Sequence, residues 1–169
     1  MQELFDKIRK FNSWDNQIFD TGFERKSYLQ NILKFQGNTL VKVMVGQRRV
    51  GKSYLLRQIM NFLRQAKNVN PKNIFYLNKE YLVFDAIRTA IDLETIFEFY
   101  KKKLTVEGKI YIFIDEIQNI EGWEKFVNSY SQDFSQEYEL FITGSNSTLL
   151  SGELATLLSG RYVEFDIFP

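Results

Sequence analysis

Apolar side chains near the start of the chain recur at the spacing of an α-helix. The first stripe consists of Leu4, Phe5, Ile8 and Phe11. A second stripe covers residues 28–33, and it ends before Gly37, a residue type that commonly terminates helices. The pattern therefore predicts two helices within an N-terminal helical segment, residues 1–37.

After this segment the pattern changes to short runs of apolar residues, each of strand length. The runs cover residues 39–45, 74–77, 109–114, 138–143 and 161–168. Stretches with apolar residues at helical spacing separate consecutive runs. Alternating strands and helices predict an α/β fold, in which a mainly parallel sheet carries helices on both faces. Because ligands of such sheets bind beyond the carboxyl ends of the strands, we expect the chemistry at that edge.

Length and composition favour one globular domain. The chain has 169 residues, of which 44% are hydrophobic, and it contains neither Cys nor His. Their absence excludes thiol nucleophiles, histidine-dependent triads and zinc sites built from these residues. The 22 Lys and Arg residues balance 21 Asp and Glu residues, so no global positive field attracts nucleic acid.

The sequence also argues against a membrane protein. Its longest fully apolar run covers residues 110–114, whereas about 18 apolar residues are needed to span a bilayer. The N terminus is interrupted by polar residues and lacks the apolar core of a signal peptide. We therefore expect a cytoplasmic protein.

A glycine-rich motif directly follows the first predicted strand. Residues 46–53 read GQRRVGKS and fit the pattern GxxxxGK[ST], and a helical pattern begins within the motif. In such a loop, backbone N–H groups and the helix N terminus bind a polyphosphate. Lys52 would contact the β and γ phosphates, and Ser53 would ligate Mg²⁺. The predicted nucleotide-binding residues are Gly46, Gln47, Arg48, Arg49, Val50, Gly51, Lys52, Ser53 and Tyr54.

Two adjacent carboxylates stand at the end of the third predicted strand. The strand reads YIFIDE and ends with Asp115 and Glu116. Carboxylates at the end of a buried strand are costly unless they meet a cation, and Mg²⁺ would supply one to Asp115. Glu116 would then orient and deprotonate an attacking water. The sequence predicts Ser53 and Asp115 as metal ligands and Glu116 as the catalytic base.

Three further residues near strand ends are catalytic candidates. Ser145 and Asn146 follow the fourth strand, where a short polar side chain could hold the water against the γ phosphate. The same residue types are also ordinary turn and helix-capping residues. Arg161 stands at the entrance of the fifth strand and could neutralise transition-state charge in a neighbouring subunit or domain. An arginine at this position can equally be a solvated surface residue, so the residues alone leave both alternatives open.

Taken together, these motifs resemble those of one protein family. The segments that carry the resemblance are GQRRVGKS, NIFYLN, YIFIDE with Gln118 and Trp123 after it, TGSNS and LLSGR. The family is the AAA-like P-loop ATPase domain at the N terminus of many archaeal and bacterial ATP-binding proteins. The resemblance runs from about Arg25 to the chain end, and the predicted ATPase core is residues 38–169. It implies a P-loop NTPase fold with strand order 5-1-4-3-2.

The resemblance also implies activity and residue roles. It implies Mg-dependent ATP hydrolysis, with Lys52 and Glu116 in catalysis, Ser145 or Asn146 as the γ-phosphate sensor, and Arg161 as an arginine acting on a neighbour. Asn78 is placed like the polar residue that restrains the catalytic glutamate in related ATPases. Longer members continue into a helical lid or a second, often nuclease-like domain. We therefore expect a fragment or short member that is slow alone, with a homo-oligomer or a C-terminal domain contacting Arg161.

Other function classes fit less well. A GTPase would need an NKxD motif after the metal-binding strand, and none is present. A small-molecule kinase would need an acceptor pocket and usually an arginine-rich lid, which the apolar residues 82–91 do not suggest. A nucleotide-dependent binding module that hydrolyses slowly or not at all stays open. The lysines at 101–103 permit nucleic-acid contact, although cations at a helix end favour a solvated cap.

Overall fold

Five parallel strands form the sheet at the centre of the structure. The computed structural model describes residues 1–145 and 153–169. The strands are β1 (Val41–Val45), β2 (Ile74–Asn78), β3 (Ile110–Asp115), β4 (Tyr138–Gly144) and β5 (Tyr162–Asp166). They lie in the order β2-β3-β4-β1-β5, and each neighbouring pair is parallel. This is the order that the resemblance implies, so the predicted α/β P-loop fold is confirmed.

Helices cover both faces of the sheet. The described residues form α1 (Gln2–Arg9), α2 (Lys26–Leu33), α3 (Lys52–Gln65), α4 (Ala90–Lys103), α5 (Trp123–Ser131) and α6 (Glu153–Leu158). One apolar cluster joins α1, α4 and α5 to one face, and a second cluster joins α2 and α3 to the other. Residues of a strand alternate between these clusters because successive side chains point to opposite faces. None of these helices is long and apolar enough to cross a membrane.

The strand ends differ from the predicted ends by at most two residues. β2, β3 and β4 each extend one residue beyond the apolar run, because Asn78 pairs with Asp115 and Gly144 pairs with Val45 in the sheet register. β1 begins only at Val41, since the Leu40 N–H donates to the Asn38 side chain (3.0 Å) rather than to a strand. Polar residues therefore end the strands at the edge where we expected the site.

Residues before β1 close one edge of the sheet. The Asn12 side chain accepts from the Tyr76 N–H (2.7 Å) and donates to the Tyr76 carbonyl (3.0 Å), as a neighbouring strand would. The Trp14 indole donates to the Ile74 carbonyl (2.8 Å) and stacks on Tyr100. The Trp14 ring is therefore buried in this core. Covering an edge in this way blocks pairing with another chain.

A buried ionic cluster lies on the α2 and α3 side of the sheet. The Lys42 ammonium is 3.0 Å from Glu139 Oε1, and both side chains are fully buried. Lys109 is 2.8 Å from Glu139 Oε2, and the Gly37 N–H donates to Oε1 (2.9 Å). Burial lowers the pKa of Lys42, whereas the Glu139 carboxylate opposes that change. The cluster joins β1, β4 and the residue before β3.

We expect Glu139→Gln to destabilise the protein by about 3 kcal/mol, because it leaves the Lys42 charge buried without its counter-charge. Urea unfolding followed by circular dichroism measures the difference in the free energy of unfolding. Glu137→Gln, an exposed position two residues earlier, is the matched control and should change stability by less than about 0.5 kcal/mol. Equal stability of the two variants would show that the cluster does not hold the sheet together.

Candidate functional site

The glycine-rich motif lies between β1 and α3, as predicted. Gly51 has a φ of 96°, and α3 begins at the next residue, Lys52. A Cβ atom at Gly46 would lie 2.4 Å from the Ile167 carbonyl oxygen, so this position requires glycine. The Gly46 N–H also donates to the Gly144 carbonyl (3.3 Å). The loop is thus fixed between the carboxyl ends of β4 and β5.

The Lys52 side chain folds back into this loop and is buried. Its ammonium donates to the carbonyls of Gly46 (2.7 Å) and Gln47 (2.8 Å), and it lies 3.5 Å from Glu116 Oε1. An ammonium has three protons and no fixed fork geometry, so it can exchange such partners for phosphate oxygens. The loop therefore holds a cation beside the predicted catalytic glutamate.

A cavity of 810 Å³ opens above the loop, a volume in the range typical of ligand sites. Its lining residues are Arg48, Arg49, Gly51, Lys52, Ser53, Tyr54, Arg57, Asn78, Glu80, Tyr81 and Glu116. Arg48 pairs with Glu80 (2.7 Å) at the rim, and Arg57 donates to the Tyr81 hydroxyl (3.2 Å). Four cations against two carboxylates make this cavity suited to an anionic ligand.

Asp115 is fully buried at the end of β3 and is held from several sides. Thr143 donates to its Oδ1, and Asn78 donates to its Oδ2 (3.2 Å). Ser53 is also within hydrogen-bonding reach. Burial raises the pKa of Asp115, the hydrogen bonds from Ser53 and Thr143 lower it, and the nearby Glu116 charge raises it further. A buried carboxylate next to a hydroxyl is a donor set that suits Mg²⁺.

Glu116 follows in a left-handed backbone conformation, with φ 56° and ψ 50°. Its N–H donates to the Thr143 hydroxyl (3.0 Å), which ties the turn to β4. Its side chain is 6% exposed, with Oε1 facing Lys52 and Oε2 accepting from Gln118 Nε2 (2.6 Å). Gln118 also donates to Ser145 Oγ (2.9 Å). The structure therefore brings Glu116 and Ser145 together through one intervening amide.

Two predicted residues, Asn78 and Arg161, are not joined to this cluster in the expected way. Asn78 contacts Asp115 rather than Glu116, so its expected contact with the glutamate is wrong in this structure. Asn146 lies outside the described residues. Arg161 is exposed, and its carbonyl accepts from the Val41 N–H (2.9 Å) at the amino end of β1. The five residues from there to Gly46 place Arg161 about 16 Å along the sheet from the loop.

Several residues of the site were missed from the sequence. Thr143 contacts both carboxylate residues. Its position as a polar residue at the end of an apolar strand could have identified it from the sequence. Gln118 was noted only as part of the family motif. Arg25 gave no local signal, yet it donates to the Val50 carbonyl (2.6 Å) and to the Phe168 carbonyl. Arg25 thus joins the segment before α2 to the loop and to the residues after β5.

A second cavity adjoins the loop on its α2 side. It has a volume of 630 Å³ and is lined by residues 22–28 together with Gly51, Tyr54 and Pro169. The Tyr28 ring lies under the Arg25 guanidinium (4.4 Å to the centroid), and its hydroxyl accepts from the Phe168 N–H (3.1 Å). The aromatic residues Phe23, Tyr28 and Tyr54 line this cavity together with a charged segment, residues 24–26.

The parallel sheet, the glycine-rich loop and the paired carboxylates at the strand ends define a P-loop NTPase domain. Comparison with known families agrees, since residues 38–169 match the family described as the AAA domain. The chain belongs to this family.

Two similar proteins are longer than this chain. An uncharacterized protein of Haemophilus influenzae is 45% identical over 145 residues, which cover 86% of this chain and 35% of that protein. The uncharacterized protein MJ1544 of Methanocaldococcus jannaschii is 37% identical over 129 residues, covering 76% of this chain and 26% of that protein. The chain thus spans about a third or less of these relatives.

Solved structures share the fold at lower identity. The Aeropyrum pernix ORC1 protein, solved in complex with DNA, has a TM-score of 0.60 and 17% identity, covering 86% of this chain and 45% of that one. A Walker-type ATPase of Pyrococcus abyssi has a TM-score of 0.56 and 20% identity, covering 88% of this chain and 54% of that one. At these identities the likeness shows the common P-loop fold.

Proposed function

We propose that this domain binds ATP with Mg²⁺ and hydrolyses its β–γ phosphoanhydride, as a nucleotide-driven switch or motor for an attached or partner domain. One observation carries the proposal. The Lys52 ammonium lies 3.5 Å from the Glu116 carboxylate, and the Asp115 carboxylate ends the same strand. Lys52 and Glu116 line one cavity and Asp115 directly precedes Glu116, so the groups that would bind phosphate, act as the base and hold the metal ion lie side by side.

The loop would bind the triphosphate. Its backbone N–H groups and the N terminus of the 14-residue helix α3 supply partial positive charge. Lys52 would exchange the carbonyls of Gly46 and Gln47 for β and γ phosphate oxygens. Arg48 and Arg49 lie on the same cavity, where they add positive charge. We assign residues 46–54 to nucleotide binding on this basis.

Ser53 and Asp115 are the residues that would hold Mg²⁺. The described residues contain no cluster of three or more Asp, Glu, His or Cys that could hold a metal. A serine hydroxyl and one carboxylate suit Mg²⁺, which is usually bound by one or two protein groups together with waters and substrate phosphates. When bound, the ion neutralises charge on the β and γ phosphates. Asn78 and Thr143 keep Asp115 in position for this role.

Hydrolysis would depend on Glu116. Its carboxylate would accept a proton from the water that attacks the γ phosphorus, while the bond from that phosphorus to the bridging oxygen breaks and ADP leaves. Ser145 would donate a hydrogen bond to a γ phosphate oxygen. The second candidate, Asn146, directly follows it in the sequence. The chain has no histidine, so carboxylate, hydroxyl and amine groups would perform the chemistry of the site.

The cavity on the α2 side would bind the adenine ring of the nucleotide. It shares Gly51 and Tyr54 with the phosphate cavity, so one nucleotide could reach both. The Tyr28 and Tyr54 rings offer faces on which a purine can stack, and nearby backbone groups offer hydrogen-bond partners. We therefore assign the triphosphate to one cavity and adenine to the other.

A binding module that hydrolyses slowly or not at all is the second candidate function. A Lys52–Glu116 contact that persists after nucleotide binding would favour it, because an ion-paired glutamate is not free to act as a base. Nucleotide binding would have to separate the pair before hydrolysis. Measured turnover separates the two functions.

We expect Lys52→Ala to weaken Mg·ATP binding at least about 100-fold, because the loop loses its buried cation. Isothermal titration calorimetry with ATP and Mg²⁺ measures the change. Lys67→Ala, at an exposed position just beyond α3, removes the same charge outside the site and should bind as the parent does. Binding by Lys52→Ala as tight as that of the parent would refute the assignment of the loop.

We expect Glu116→Gln to retain nucleotide affinity and to lose hydrolysis by about 10²- to 10⁴-fold, because the amide keeps the shape but cannot accept the proton. Phosphate release under saturating ATP measures turnover, and fluorescent-nucleotide titration measures affinity. Glu121→Gln, which changes an exposed glutamate that also follows β3, serves as the control. Equal, measurable turnover by the parent and Glu116→Gln would remove Glu116 from the mechanism, whereas no measurable turnover by the parent would support the non-hydrolysing alternative.

Arg161 can act only on the nucleotide of another subunit or domain, since it lies at the opposite end of the sheet from its own loop. We propose that it does so in an assembly. Arg161→Ala should then lower turnover by about 10³-fold with little change in ATP binding. Mixing Arg161→Ala with Lys52→Ala subunits of the full-length protein should recover activity. Co-assembly without recovery would show that Arg161 is a surface residue without a catalytic role.

A further inference from the structure

Gln118 occupies a position that joins two strand ends within the site. It lies in the one-turn 3-10 helix Ile117–Asn119, directly after β3. Its Nε2 donates to Glu116 Oε2 (2.6 Å) and to Ser145 Oγ (2.9 Å), and Ser145 follows β4. One amide group therefore connects Glu116, the proposed catalytic base, with Ser145, the proposed γ-phosphate sensor.

The orientation of this amide follows from its partners. An ionised carboxylate can only accept hydrogen bonds, so the amide nitrogen, and not the oxygen, must face Glu116. The two amide protons then serve the carboxylate and the Ser145 oxygen. The other amide atom, Oε1, is buried and has no hydrogen-bond partner among the described residues. The amide is thus held by the carboxylate and the hydroxyl.

The bridge constrains the Ser145 proton as well. A hydroxyl has one donor proton and can accept at its oxygen. Because Gln118 donates to that oxygen, the Ser145 proton stays available for a different acceptor. In the proposed reaction that acceptor is a γ phosphate oxygen. By donating to both groups, Gln118 leaves Ser145 as a hydrogen-bond donor and Glu116 as an acceptor at the same time.

Two side chains among the described residues contact the Glu116 carboxylate, and nucleotide binding would remove one of these contacts. Its Oε1 faces Lys52 at 3.5 Å, and its Oε2 accepts from Gln118. When Lys52 turns to phosphate oxygens, Gln118 remains the contact that orients the carboxylate. Asn78 does not replace it, because its amide donates to Asp115.

We propose that Gln118 is a positioning residue that couples the orientation of the catalytic base to the γ-phosphate contact of Ser145. This inference rests on the proposed hydrolysis. It explains how the base can stay oriented after its ion pair with Lys52 opens. Through the bridge, the contact of Ser145 with the γ phosphate and the orientation of the Glu116 carboxylate depend on each other.

The kinetic test uses Gln118→Met, which keeps the side-chain length and removes the donor. We expect kcat to fall about 10- to 100-fold, with the KM for ATP and the nucleotide Kd changed less than about twofold. Asn119→Ala, an exposed residue of the same 3-10 turn, is the control and should behave as the parent. Thermal melting should give all three proteins similar midpoints. An unchanged kcat, or equal losses in kcat and affinity, would overturn the proposal.

A double-mutant cycle tests the coupling. If Gln118 and Ser145 act through one bridge, then Gln118→Met should cost much less in a Ser145→Ala background than in the parent. It should have no further effect on turnover in Glu116→Gln. Effects that multiply across Gln118 and Ser145 would show independent roles and overturn the coupling.

A third measurement does not depend on turnover. The Gln118 side-chain amide signal, identified in the NMR spectrum by its loss in Gln118→Met, should shift in both Glu116→Gln and Ser145→Ala. A signal that moves in neither variant would overturn the bridge itself. Turnover of the parent no faster than that of Glu116→Gln would instead reject Glu116 as the base and the catalytic use of the bridge, while the amide signal would still decide whether the bridge exists.

Discussion

The site depends on how the protein keeps the Asp115 carboxylate in a fully buried position. Removing a carboxylate from water is costly unless hydrogen bonds or a cation replace the lost hydration. Here Thr143, Asn78 and Ser53 approach it from β4, β2 and α3. These contacts require the strands to end in this register, because Asn78 pairs directly with Asp115 in the sheet. The same hydroxyl of Thr143 also holds the Glu116 backbone, so one residue orders both carboxylate positions.

The glycine-rich loop is constrained from two directions. On the sheet side, Gly46 lies against the Ile167 carbonyl, where any larger residue would collide. On the α2 side, Arg25 binds the Val50 carbonyl and the Phe168 carbonyl. A loop that must wrap phosphates with backbone N–H groups benefits from such support, because its conformation is then set before the ligand arrives. The segments before β1 and after β5 therefore help to hold the loop of the candidate site.

The cations and anions of the site are arranged as exchangeable pairs. Lys52 contacts Glu116 and two loop carbonyls, and Arg48 contacts Glu80 at the rim of the cavity. Each of these cations could turn to a phosphate group, and each would then release an acidic partner. In the proposed reaction, the release of Glu116 is the step that creates a base. Binding of the substrate and activation of the catalytic group would thus be linked through one lysine.

The apolar pattern and two short motifs were enough to predict the order of elements, the loop and the acidic strand end. Continuous apolar runs of strand length fit a buried parallel sheet, and GxxxxGKS after such a run has few other structural roles, so residues 46–53, Asp115 and Glu116 could be found locally. The strand order came from the family resemblance and agrees with the sheet. Tertiary structure alone decided the contacts between distant segments. It turned Asn78 toward Asp115, put Gln118 between Glu116 and Ser145, brought Arg25 to the loop, and buried Trp14 in the core. Such contacts depend on strand register and side-chain packing, which spacing along one chain does not encode.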